Sequence, residues 1–205
     1  MHEYKPRRPY QLKPEQIELI EGSADIAQSS ELAHTTATVV VPLPGEPPLD
    51  AGVAERVQAL LEAEGIDTLA EPWVPMPPDS LPGVLWRGYL LREWVRRFTA
   101  DAEQRFAAAQ QAGVGEGETA KLVSPPARVK ELWDGVFKGG FTGDFAAVLR
   151  ESARLTDFLG QLVPEWISED AHPLATAVTR RATAMLRTAE EFRAAGELLV
   201  KGQLH

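Results

Sequence analysis

The sequence predicts an all-α protein, and three observations carry that prediction. Apolar side chains recur at spacings of three, four and seven over three long stretches, which lays them along one side of a helix at about 100° per residue. Strand signals are too few for a sheet: only the run 34–41 is richly β-branched, and a strand without a partner does not stand alone. Proline and glycine cut the chain at 42–48, 71–83 and 113–124, leaving pieces of helix length between loops. The apolar stripes must bury one another, which gives an antiparallel bundle of about six helices with proline-rich connections. At 205 residues the chain suits one domain.

Each element follows from local signals. Residues 1–13 carry Lys5, Arg7, Arg8 and Lys13 among Pro6 and Pro9 and read as a flexible basic arm. Pro14 opens a helix through Ile17 and Ile20, Gly22 and Ser23 mark a kink, and helix resumes to about Ala33. The run 34–41 is open to a short strand. Asp50 caps a helix holding Val53, Val57, Leu60 and Leu61, which Gly65 ends. A long helix is expected over 84–111, with Val84, Leu91, Val95, Phe98, Ala102, Phe106 and Ala109 as its core stripe. Ser124 is the expected cap of a helix behind Pro125 and Pro126 that runs through Val129 and Trp133 to Gly139. Thr142 or Gly143 opens the next, with Phe145, Val148, Leu149, Ser152, Thr156, Leu159 and Val163 on one side, stopping near Pro164. The last runs from 171 to 199 along Leu174, Val178, Ala182, Met185, Ala189, Phe192, Gly196 and Leu199, whose small members admit a close neighbour.

Composition excludes several functions. Apolar residues make up 44% and charged residues 25%, as in globular proteins. Without cysteine, disulfides, thiolate metal sites and cysteine nucleophiles are out. Net charge is −9, which repels phosphate backbones and anionic membranes, so no nucleic-acid partner is expected. No apolar run spans a bilayer and no apolar segment follows the N-terminal charges, so the expectation is a cytoplasmic protein with no membrane partner. Fifteen arginines against six lysines, with 28 alanines, suggest a GC-rich bacterial source.

The long helix carries a second side. Trp86, Tyr89, Glu93, Arg96 and Arg97 lie opposite its core stripe, with Leu90 and Trp94 on the flank. A central helix covered on both sides explains them, with Glu93 paired to Arg97 one turn on. A groove is the alternative: aromatics as floor, and Arg92 or Arg96 holding an anion. The binding residues expected are therefore Trp86, Tyr89, Arg92, Glu93 and Arg96. Trp86-Arg87-Gly88 and the Tyr89–Glu93 spacing also match the W-x-G and Y-x-x-x-[D/E] strings of small secreted helical hairpins. There the tripeptide sits in an interhelical turn and the tyrosine follows much later, so the match is taken as chance.

Elsewhere the signals are thinner. Glu151 shares an apolar flank with Leu155, Phe158 and Leu162, away from Arg154. A carboxylate placed there needs a cation, and an ion pair with an arginine of the last helix, such as Arg181, is preferred to catalysis. Lys138, Gly139, Gly140, Gly143 and Asp144 join two helices, and a plain connection is preferred to a phosphate cradle because no strand precedes them. The glycines 113, 115 and 117 read as a loop. His34 and His172 lack a ligand one turn away, so no metal is expected. No serine elbow or triad order appears, and no cofactor is implied. Residues 71–83 read as a strap packing Trp73, Val74 and Met76 across the helices and roofing a pocket near Trp86.

Two functions remain. The favoured one is a non-catalytic module that binds a protein partner or itself, with a homodimer as one form. The other is a small-molecule binder, or an enzyme, with an anionic ligand held between helices. An open patch at Trp86, Tyr89 and Arg96 favours the first, and a closed cavity the second.

Overall fold

The computed structural model describes residues 22–45, 49–114, 122–162 and 175–205. Helix α1, Gly22–Val40, takes up the β-branched run that was open to a strand. Two threonines of the run satisfy their hydroxyls on their own helix. Thr36 Oγ1 donates to Leu32 O at 2.9 Å and Thr38 Oγ1 to His34 O at 2.9 Å. Tertiary burial of Ala33, Ala37 and Val40 then overrides the β-propensity. The basic arm 1–13 and the helix expected from Pro14 lie outside the described residues.

Helix α2, Ala51–Glu64, is capped by Asp50, whose carboxylate accepts from Val53 N, and it stops at Gly65, where φ is +84°. Helix α3, Ile66–Ala70, and a 3-10 turn, Glu71–Trp73, follow. The proline stretch expected as a loop is therefore partly helical, and helix α4, Leu81–Arg97, begins inside it on a Ser80 cap. Of the three side chains assigned to a strap, Trp73 is fully buried and Met76 half-buried, but Val74 is exposed. Trp73 Nε1 donates to Thr36 Oγ1 at 2.9 Å, which fastens the strap to α1.

The long helix expected over 84–111 is two. Phe98 leaves helical geometry (φ −126°, ψ 46°), and α5, Thr99–Gln111, sets off in a new direction. The turn brings Phe106 onto Phe158, ring centroids 5.3 Å apart. It also leaves Phe98, expected in the core stripe, 58% exposed.

Helix α6, Pro126–Val136, takes Pro125 as its N-cap residue and gains no side-chain cap. Ser124, expected as the cap, bonds Glu151 instead. Helix α7, Phe145–Gly160, is capped by Asp144, whose carboxylate accepts from Ala147 N at 2.9 Å. Thr142 and Gly143 do not hold that position: the carboxylate supplies a charged acceptor at the positive end of the helix. Helix α8, Ala175–Val200, packs along α7, and a Cβ built on Gly160 would come within 2.9 Å of Leu186. Val163 and Pro164, used to place the end of α7, the expected start of α8 at 171–174, and His172 lie outside the described residues.

Every regular element among the described residues is helical, eight α-helices in all with no strand. Helix α4 lies at the centre, touching α1, α3, α5, α6 and α8. Its crossing with α6 is tight because Gly88 meets the Trp133 ring: a Cβ there would lie 2.2 Å from it. Trp133 is fully buried, stacks on Phe137 at 5.3 Å and donates from Nε1 to Ser152 Oγ at 2.9 Å. No described helix is long and apolar enough to cross a membrane.

Candidate functional site

The second side of α4 divides into three parts. The first is an ion network on Glu93, which is only 6% exposed. Glu93 Oε1 accepts from Arg92 Nη1 and Arg96 Nε, both at 2.9 Å. Its Oε2 accepts from Arg96 Nη2 at 2.6 Å and Arg97 Nε at 3.1 Å. Arg92 also donates to Asp134 Oδ1 at 2.7 Å, and Lys130 to Asp134 Oδ2 at 2.6 Å. The Arg96 hydrogen bond, against the pull of burial, holds the Glu93 carboxyl below its ordinary range. Burial pushes Asp134 up, but Lys130 and Arg92 outweigh it and hold that carboxyl low as well. The arginines considered for an anion thus already hold carboxylates.

The second part is aromatic. Trp86 and Tyr89 stack with centroids 5.4 Å apart and planes 17° apart, and Tyr89 meets Phe137 edge-on at 6.3 Å. Phe137 in turn stacks on Trp133 and, at 6.4 Å, on Trp73. Trp86 and Tyr89 are therefore the half-buried outer rim of a ring cluster that reaches the core. Tyr89 Oη donates to Asp67 Oδ1 at 3.0 Å. Burial, and then this bond to a carboxylate, push the phenol above its usual value. Among the described residues, neither Trp86, Tyr89 and Arg96 nor the strap contributes to the walls of the three main cavities.

The third part is the flank. Leu90 and Trp94 line an open, mostly apolar cavity of about 400 Å³ between α4, α5, α7 and α8. Leu91, Phe98, Leu159 and Met185 complete its apolar wall, and Arg87, Asp101 and Arg105 contribute its charges. Arg87 is committed: it pairs with Glu191 and donates to Gly83 O. Arg105 is half-buried, and its one hydrogen bond among the described residues runs to Met185 Sδ at 3.7 Å. Sequence reasoning missed this groove because Phe98 was assigned to the core and α5 to the same straight axis as α4. The available signal was the stripe Leu90, Trp94, Phe98, one turn apart at each step.

The remaining candidates are accounted for locally. Glu151 keeps 18% side-chain exposure; it accepts from Ser124 Oγ at 2.8 Å and pairs with Arg154 at 2.9 Å. Arg154 was expected to point away and is the actual partner, three residues on; the side chain of Arg181 lies outside the described residues. In the glycine connection, Gly140 N donates to Val39 O and Phe141 N to Val40 O, both at 2.9 Å. Those amides cap α1 and are not free for a phosphate. His34 Nδ1 lies 2.8 Å from Ser30 O, and no metal-holding group of acidic and histidine side chains forms among the described residues. Comparison with family models, curated proteins and solved structures found no match for this chain.

Proposed function

We propose that the protein is a non-catalytic binding module and that its site is the groove beside α4. One observation carries the reading. A water-facing apolar cavity of about 400 Å³ opens beside Leu90 and Phe98, which are 47% and 58% exposed. Cavities of some 300–1,000 Å³ with a few charges on apolar walls suit small ligands. On this reading the Glu93 network and the Trp86–Tyr89 stack are framework: they fix α4, and α4 presents Leu90 and Trp94. Association with a protein partner or a second copy is the other reading, favoured by the same exposed stripe.

The experiment uses Nile red, a neutral dye that brightens in apolar surroundings. Its emission should rise on mixing with the protein and fall by at least about fivefold in Leu90→Asp. An equal signal in the variant removes the groove as the site. Sedimentation across a range of concentrations decides the second reading: a dimer abolished by Leu90→Asp supports self-association.

A further inference from the structure

The groove is mostly apolar, with Arg87, Asp101 and Arg105 on its lining, and these charges are unequal in commitment. Arg87 is neutralised by Glu191. Asp101 is exposed to water and forms no ion pair with Arg105, although it lies one turn before it on α5. Arg105 is the exception. Its guanidinium is half-buried against Met185, and the thioether sulfur it touches at 3.7 Å is a weak acceptor. The arginines of α4 take carboxylate partners at 2.5–3.1 Å. Among the described residues Arg105 has no such partner, and a guanidinium held beside apolar side chains in that way offers an anion site, because charge-assisted bonds strengthen where water is partly excluded.

Resting on the groove reading above, we propose that the ligand is a small amphipathic carboxylic acid. Its carboxylate sits on Arg105, and its apolar tail lies between Leu90, Trp94, Phe98 and Met185. A single negative charge fits better than two, because Asp101, one turn before Arg105 on the same helix and also lining the groove, repels a dianion. The planar guanidinium matches a carboxylate edge-on, so the head group is fixed in orientation as well as in charge.

The test compares decanoate with decan-1-ol, both kept below self-association, by calorimetric titration of the full chain at neutral pH. Wild-type protein should bind decanoate about tenfold tighter than the alcohol, about 1.4 kcal/mol. Arg105→Met should bring the two within about twofold, Arg105→Lys should restore most of the preference, and Asp101→Asn should tighten decanoate alone. Equal affinities in the wild-type protein overturn the acid preference while leaving the groove standing, and this comparison needs no variant to fold. Binding of neither ligand, or binding untouched by Leu90→Asp, overturns both the acid preference and the groove. A decanoate preference unchanged in Arg105→Met places the head group elsewhere and overturns the assignment of Arg105.

Discussion

Glu93 shows how one carboxylate can order three arginines. Removing its charge leaves Arg96 and Arg97 without their counter-ion and Arg92 with Asp134 alone, so Glu93→Gln should destabilise the protein by about 2 kcal/mol at neutral pH. The sign of the pH dependence follows from its lowered pKa in the folded state. A depressed carboxyl stabilises above its unfolded pKa of about 4.3 and loses that contribution as pH falls through the folded value. Chemical unfolding of wild type and Glu93→Gln should therefore differ most near neutrality and converge below about pH 4. A constant gap down to acid pH contradicts the assignment. Gly88 sets a different kind of limit. Since its Cβ would meet the rigid, buried Trp133 ring at 2.2 Å, Gly88→Ala should cost about 3 kcal/mol in a thermal melt despite alanine's better helix propensity.

Helix starts give the sharpest tests among the elements. Asp144→Ala should cost about 1 kcal/mol through loss of the α7 cap, whereas Thr142→Ala should be nearly silent. Equal costs in a denaturant titration would restore Thr142 as the cap. The sequence carried the helices wherever periodicity and a breaker agreed: α2 between Asp50 and Gly65 is an instance. It was ambiguous where two forces conflicted. In the run 34–41, β-branching opposed a helix that distant partners reward, through burial of Ala37 and Val40 and the bond from Trp73 to Thr36. At Phe98 the stripe continued unbroken in sequence while the fold needed a turn. No proline or glycine marks that turn, because it is imposed by what α5 must reach, the Phe158 ring on α7. The Ser124 and Glu151 contact is likewise a tertiary pairing, 27 residues apart, that no local spacing encodes.

For the molecule as a whole, the α4 side was legible as unusual but not as a site. Sequence spacing grouped Trp86, Tyr89, Arg92, Glu93 and Arg96, and the fold sends them to two different tasks, ring packing and ion pairing. The groove draws on four helices, and Arg105 and Met185 stand 80 residues apart, a juxtaposition beyond any periodicity. The glycine connection at 139–140 joins distant parts in the same way. The carbonyls of Val39 and Val40, which a lone helix leaves to water, accept from the amides of Gly140 and Phe141, so the end of α1 gains these partners only after about one hundred further residues of chain are made. Closing so wide a loop costs entropy before any contact repays it. The contacts of α1 with Trp73 and α4 need only about the first hundred residues, so the glycine connection is the late fastening of a helix whose apolar side has partners nearer in the chain.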